Sequence, residues 1–174
     1  MKFRNSKSDD IESICDLHVD AFDDTEGPVI AELVRAILNT QMDKPVYSFV
    51  IEGKKRIIGH IVFSPVLIQG SEKIKAYILA PLAISTGHQK QGLGTRLISY
   101  SINELKEHGV EVLFVYGDPA YYSRSGFKTE KNVSAPYDLE YPEAWMTMEL
   151  INGSLSNVHG TVKCMLPLMS GVYW

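Results

Sequence analysis

The chain has 174 residues, 45% of them hydrophobic and 22% charged, with a formal net charge of −4. This is ordinary globular composition with apolar side chain enough for a full core. It excludes a disordered chain and gives no general nucleic-acid surface. Cys15 and Cys164 stand far apart, no CxxC pair occurs and the five histidines show no ligand spacing, so neither a zinc site nor a disulfide scaffold is expected. Met1 to Ser6 is followed by no apolar signal segment, and no apolar run approaches the ~20 residues of a membrane span. The expectation is a cytoplasmic protein with no nucleic-acid or membrane partner. No repeat, low-complexity tract or linker divides the chain, so residues 1–174 read as one domain.

Phe3 and Arg4 open a short strand. Ser8 and Asp9 offer N-cap oxygens to a first helix whose stripe is Ile11, Ile14, Leu17 and Phe22, with acids in its first turn. Pro28 suits the first turn of a second helix, with Ile30, Leu33, Val34, Ile37 and Leu38 on one face. Val46 to Glu52 and Ile57 to Ile68 read as a hairpin around the turn Glu52-Gly53-Lys54-Lys55. After Gly70-Ser71, Ile74 to Ile84 reads as a third long strand, interrupted or bulged near Pro81 for want of a ladder donor.

From Leu93 the period changes to helical: Leu93, Leu97, Ile98, Ile102 and Leu105 share a face and Gly109 stops it. Val110 to Tyr116 is a nearly unbroken apolar run, as in a strand buried on both faces, so 74–116 reads as a right-handed βαβ unit. Ala120 to Ser125 forms a short helix ended by Gly126. Phe127 to Glu130 and Trp145 to Leu150 are late strands. From Asn152 onward the alternation is too weak to assign.

Chemistry concentrates in Gly87-His-Gln-Lys-Gln-Gly-Leu-Gly-Thr-Arg96, between a strand and a helix. The first N–H groups of a helix have no internal partner and, with the positive dipole end, form an anion site. Glycines admit a ligand close to the backbone, and Lys90 and Arg96 add charge, so the loop suits a phosphate or pyrophosphate. The P-loop pattern fails because no Lys-Ser/Thr follows Gly92 or Gly94. The dinucleotide fingerprint fails because Leu97 replaces its third glycine.

Gln89-x-x-Gly92-x-Gly94 resembles the pyrophosphate loop of the GNAT acyltransferases, and Tyr122-Ser-Arg-Ser-Gly126-Phe127 resembles their Tyr-x-x-x-Gly-Phe element. Ala80-Pro-Leu-Ala-Ile84 and Gly117-Asp-Pro-Ala-Tyr-Tyr122 are similar to the YhbS-like branch. The resemblance implies an α+β fold, mixed α/β in its layers, whose mostly antiparallel, helix-flanked sheet splays between its fourth and fifth strands. It implies direct transfer of the acetyl group of acetyl-CoA to a primary amine in a ternary complex. Leu82, Ala83 and Ile84 would pair with the pantetheine arm. Gln89, Lys90, Gln91, Gly92, Leu93, Gly94 and Thr95 would hold the pyrophosphate. Tyr122 would protonate the leaving thiolate, with Tyr121 its rival.

The acid that many GNAT proteins carry on the fourth strand is absent from 74–84. Asp118 is a base, a CoA contact or a turn-former before Pro119, and the turn role suits Gly-Asp-Pro best. His60 and His88 read as structural or exposed. The acidic run Asp20, Asp23, Asp24 and Glu26, and Glu140 and Glu143 beside Tyr137, Tyr141 and Trp145, lie in the segments where GNAT proteins select their acceptor: a small amine, a peptide or a protein amine. Two rival readings remain: an acyl-CoA-binding regulatory module without turnover, and an unrelated phosphate- or nucleotide-binding protein. Late strands and tail offer a homodimer surface.

Overall fold

The computed structural model describes residues 1–54 and 56–174; Lys55, in the expected hairpin turn, lies outside the described residues. They fall into two compact units, Met1–Phe63 with Pro81–Ser101, and Ser64–Ala80 with Ile102–Trp174. Hydrogen-bonded strands follow the order β1 (Lys2–Asn5), β2 (Tyr47–Gly53), β3 (Arg56–Ile68), β4 (Ala76–Ile84), β5 (Val112–Tyr116), β8 (Trp145–Glu149), β6 (Lys128–Thr129), a mixed sheet in an α/β fold.

In the first unit, β1 (Lys2–Asn5), β2 (Tyr47–Gly53) and the first half of β3 (Arg56–Ile68) are antiparallel, with Phe3 opposite Ile51 and Val50 opposite His60. α1 (Ile11–Ala21) and α2 (Glu26–Asn39) pack together, and Ile14, Val34 and Val50 form one fully buried cluster. Gly27 makes the helix contact close: a Cβ there would stand 3.0 Å from the Val19 backbone. The expected cap at Ser8 and Asp9 is corrected. A 3-10 turn occupies Ser8–Asp10, and the Asp10 carboxylate accepts the Lys7 N–H at 2.7 Å while also holding the Arg4 guanidinium. The Arg4–Asp10 ion pair thus ties β1 to the turn that precedes α1.

In the second unit, β4 (Ala76–Ile84) begins beside β5 (Val112–Tyr116) in parallel register, Ala76 to Val112 through Ile78 to Phe114. The parallel neighbours and α3 (Leu93–Glu107) between them in sequence make the βαβ unit expected. β4 runs through Pro81 instead of breaking there. Pro81 lies beyond the last β4–β5 pair, where a missing donor is tolerated. β5 is buried from Val112 to Val115, as its apolar run demands, and pairs antiparallel with β8 (Trp145–Glu149), which also takes β6 (Lys128–Thr129).

Two further strands, one at residues 133–134 and one in the tail, are not revealed by periodicity. β9 (Gly160–Lys163) pairs with Leu67 and Ile68 of β3 and with β7 (Val133–Ser134). Trp174 then closes on rings already in place. It stacks on Tyr116 at 6.3 Å and lies 5.9 Å from Trp145. No helix among the described residues is long and apolar enough to cross a membrane.

Candidate functional site

In the first unit the site is the junction of β4, a 3-10 turn at Thr86–His88, and α3. Ser85 N–H donates to Ile58 O at 3.0 Å, fixing the end of β4 on β3. Asp20 of α1 then holds the turn twice, accepting Thr86 N–H at 2.9 Å and the Thr86 hydroxyl at 3.0 Å. Ser85 Oγ and His88 Nδ1 lie 2.8 Å apart, and Gln89 Nε2 donates back to Ile84 O at 3.0 Å. The side chain of Gln89 is therefore a brace for the loop, while its exposed neighbours Lys90, Gln91 and Gly92 form the tip.

Lys90 at φ 60° and Gly92 at φ 74° both take the left-handed conformation, which turns successive amides toward one side. Glycine meets this demand freely. Lys90 does not, and strain at a non-glycine residue belongs to a loop held for a purpose. The helical ladder of α3 opens with Arg96 N–H on Gly92 O at 3.1 Å, leaving the amides of Leu93, Gly94 and Thr95 upstream of it. Among the described residues nothing lies within 4 Å of a Cβ built at Gly92 or at Gly87, so the loop faces open space. Arg96 differs from the expectation: its guanidinium lies over the Phe3 ring, 5.3 Å from the centroid. Of the two candidate cations, Lys90 alone belongs to the loop tip.

The strand residues expected to meet a ligand, Leu82, Ala83 and Ile84, are the last three positions before Ser85; Ala83 is buried and the other two are half-buried. No acid occurs on β4. His60, read as structural or exposed, is fully buried. It bonds Ser48 Oγ through Nε2 at 2.9 Å and His18 Nε2 through Nδ1 at 2.8 Å. Burial pulls both imidazoles well below the usual histidine range, His18 to about 4, and His18 lowers its partner further. His18 carries no sequence signal, because its partner stands 42 residues away.

In the second unit the chain leaves β5 at Tyr116, turns at Gly117, and enters α4 (Pro119–Tyr122). Asp118 caps that helix: its Oδ1 accepts Ala120 N–H at 2.9 Å and its carbonyl accepts the Tyr121 and Tyr122 amides at 3.0 Å. The turn-forming role is thus realised. Pro119 sits at the first helical position, where its missing N–H costs nothing. Gly126, at φ 97°, ends the following turn at Ser123–Ser125 and delivers Phe127 to the core.

This placement locks Tyr122. Its ring meets Tyr121 edge-on at 5.1 Å and Phe127 at 5.8 Å. The glycine at 117 has a second purpose beyond the turn: any Cβ there would run into the Tyr122 ring, whose Cδ2 lies 3.1 Å away. Burial, then Tyr121 and Asp118, push the Tyr122 phenol above its ordinary value, so it holds its proton at neutral pH.

The acceptor segments divide. Asp20 is committed to Thr86, and Asp23 Oδ1 accepts the Thr25 and Glu26 amides at 2.8 Å ahead of α2. Trp145 is buried, stacked on Phe114 at 5.1 Å, and donates Nε1–H to Val133 O. Tyr137 and Tyr141 remain exposed.

Residues 2–129 match the family described as "Acetyltransferase (GNAT) domain". The chain is 31% identical over 147 residues to the uncharacterized N-acetyltransferase YjhQ of Escherichia coli K12, covering 81% of each protein. It is 34% identical over 113 residues to the uncharacterized N-acetyltransferase YhbS of the same strain, covering 62% of this chain and 65% of that one. The crystal structure of E. coli YhbS in complex with CoA superposes on 98% of this chain and 92% of that chain, with a TM-score of 0.87 and 25% identity. The family match runs from β1 to β6 and takes in the loop at Gln89 and the turn at Tyr122 alike, and the chain belongs to the GNAT family of acetyltransferases.

Proposed function

We propose that the chain moves the acetyl group of acetyl-CoA to a primary amine by direct attack in a ternary complex, with residues 1–174 working as one acetyltransferase domain. The observation that carries this is the loop, where Lys90 and Gly92 are left-handed, open space lies beside Gly92, and the ladder of α3 begins only at Arg96. Amides from Gln89 to Thr95 hold the pyrophosphate, with Lys90 at the exposed tip. The backbone of Leu82, Ala83 and Ile84 pairs with the pantetheine arm as an added strand would. Asp118, which caps α4, adds a CoA contact.

In the reaction the neutral amine nitrogen bonds to the thioester carbon and the C–S bond breaks. The nitrogen loses a proton and the sulfur leaves with the electron pair. An alkyl ammonium has a reference pKa of about 10.4, so the amine must shed its proton before it attacks. Tyr122 donates its hydrogen bond to the thiolate as charge develops there.

Calorimetry tests the reading. Acetyl-CoA is expected to bind saturably and clearly more tightly than ADP or free pantetheine, since loop and strand act on one ligand. Equal binding of ADP would replace this reading with a general phosphate site, and no binding by folded protein would end it. Binding without turnover across a panel of amines would leave a regulatory module. In the same titration Gly92→Ala is expected to weaken acetyl-CoA about tenfold. Left-handed backbone costs a residue with a Cβ about 1 kcal/mol, and the methyl also projects where the ligand approaches. Unchanged affinity would remove Gly92 from the site.

A further inference from the structure

The turn that leads into the loop is held from two directions by one strand. Ser85 N–H donates to Ile58 O of β3 at 3.0 Å. Two positions along the same strand, His60 Nδ1 lies 2.8 Å from His18 Nε2, and both rings are fully buried, so the last turns of α1 are pinned to β3. Phe22 stacks on His18 at 6.0 Å between centroids, and α2 closes on the Val19 backbone at Gly27. Asp20 stands among these anchors. Its Oδ2 accepts Thr86 N–H at 2.9 Å and its Oδ1 accepts the Thr86 hydroxyl at 3.0 Å. Strand, helix and turn thus close a circuit, from β3 through His18 and Asp20 to Thr86, and from Ser85 back to β3. Gln89, the first loop residue, returns to the same foot: its N–H donates to Thr86 O at 3.5 Å and its Nε2 to Ile84 O at 3.0 Å.

Resting on the acetyl-transfer reading, we propose that Asp20 is a positioning residue for the donor: through Thr86 it holds the foot of the pyrophosphate loop against β3, and so sets the affinity for acetyl-CoA.

The charge of Asp20 argues against any simpler use in the donor site. A carboxylate beside a loop suited to a pyrophosphate repels its ligand, so as a charge alone it lowers affinity. Both of its oxygens are instead committed to the two donors of one residue, which fixes Thr86 in rotation as well as in place. Hydrogen bonds to an ionised acceptor are roughly twice as strong as neutral ones. Such a clamp has a purpose because the loop is strained. Lys90 at φ 60° is a non-glycine residue in the left-handed region, and it stays there only where the surroundings over-determine the backbone. A loop already in its bound shape loses less conformational freedom when the ligand arrives. The role also takes Asp20 away from the acceptor, with which the acids around it in sequence had grouped it.

The test is calorimetry with acetyl-CoA, with ADP measured by competition against it. Asp20→Ala is expected to weaken acetyl-CoA about tenfold, the effect of a lost charge-assisted clamp, and to weaken ADP by the same factor, since both present a pyrophosphate. The sign is diagnostic, because removing an acid that acted only through its charge would leave affinity for these anions unchanged or raise it. Thr86→Val loses the hydroxyl and keeps the N–H, and should bind acetyl-CoA about threefold more weakly. The Asp20→Ala, Thr86→Val double variant should be no weaker than Asp20→Ala alone, because the valine removes a bond already lost. Thr86→Ser keeps both donors and should stay within about twofold of wild type. Asp20 and Thr86 are both exposed, and the valine–serine comparison at 86 probes the clamp with the carboxylate in place. Unchanged or tighter binding by Asp20→Ala overturns the proposal. So does an additive loss in the double variant, a Thr86→Ser protein as weak as Thr86→Val, or a loss for acetyl-CoA that ADP does not share. Failure of the acetyl-transfer reading is seen separately, in wild-type protein that binds no acetyl-CoA.

Discussion

Replacing Tyr122 with phenylalanine is expected to lower kcat about a hundredfold while acetyl-CoA affinity changes less than about threefold. The size follows from two acidities. A thiol like that of CoA has a reference pKa of about 8.5 and a tyrosine about 10, and burial raises Tyr122 further still. Complete transfer of the phenolic proton to the thiolate is therefore uphill by more than about 2 kcal/mol. Tyr122 serves instead by hydrogen-bonding the charge as it forms. Such a bond to a charged group contributes about 1.5–3 kcal/mol, roughly ten- to hundredfold in rate. Phenylalanine keeps the packing against Tyr121 and Phe127 and removes only this bond. Gly117→Ala supplies a control of a different kind. It keeps the hydroxyl but forces the ring aside, and should approach the same loss. Tyr121→Phe should leave kcat within about threefold. A full-rate Tyr122→Phe enzyme, measured by thiol release under saturating acetyl-CoA, would strip Tyr122 of its role, and a slow Tyr121→Phe enzyme would pass that role to its neighbour.

What could be read from the residues alone followed the reach of each interaction. α3 and β5 were legible because their periods are local and Gly109, at φ 69°, really does end the helix with a left-handed turn. The Gly117-to-Phe127 turn was legible for a similar reason: Asp118, Pro119 and Gly126 each act within a few residues of themselves. Gly117 was legible as a turn residue but not as the floor of the Tyr122 ring, because that ring belongs to a residue five positions on. Where a partner lay far off, local pattern failed. Arg4 pairs with Asp10 and Glu52, the latter 48 positions on, and the first helix starts only at Ile11. β9 has four residues and finds Leu67 and Ile68 nearly a hundred positions upstream. Trp174 has its place only once Tyr116 and Trp145 are side by side. His18 and His60 are the sharpest instance, since each looks ordinary until α1 lies on β3.

That histidine pair should make the fold sensitive to mild acid. His18 titrates at about 4 in the folded chain and near 6.5 once unfolded, so below 6.5 the unfolded chain binds more protons. Stability from the neutral ring is thus complete above about pH 6.5 and is lost as the pH falls toward 4. For His18 alone the loss by pH 5 is about 2 kcal/mol, and His60, lowered in the same direction, adds to it. Asp10 and Asp23 are lowered instead by the groups they hold, Arg4 and the Glu26 amide first among them. Their contribution is therefore present above the unfolded carboxylate value near 4 and disappears only below it. The interval from pH 7 to pH 5 separates the two kinds of group. Urea unfolding at those two pH values is expected to show the loss in wild-type protein. In a His18→Gln, His60→Gln double variant, which has no buried ring to protonate, the difference should shrink by at least about 2 kcal/mol, although glutamine packs less well and lowers stability at both. An equal pH dependence in the double variant would assign the acid sensitivity elsewhere. A protein that held these rings charged at pH 7 would contradict the stability argument, since burial keeps both neutral there.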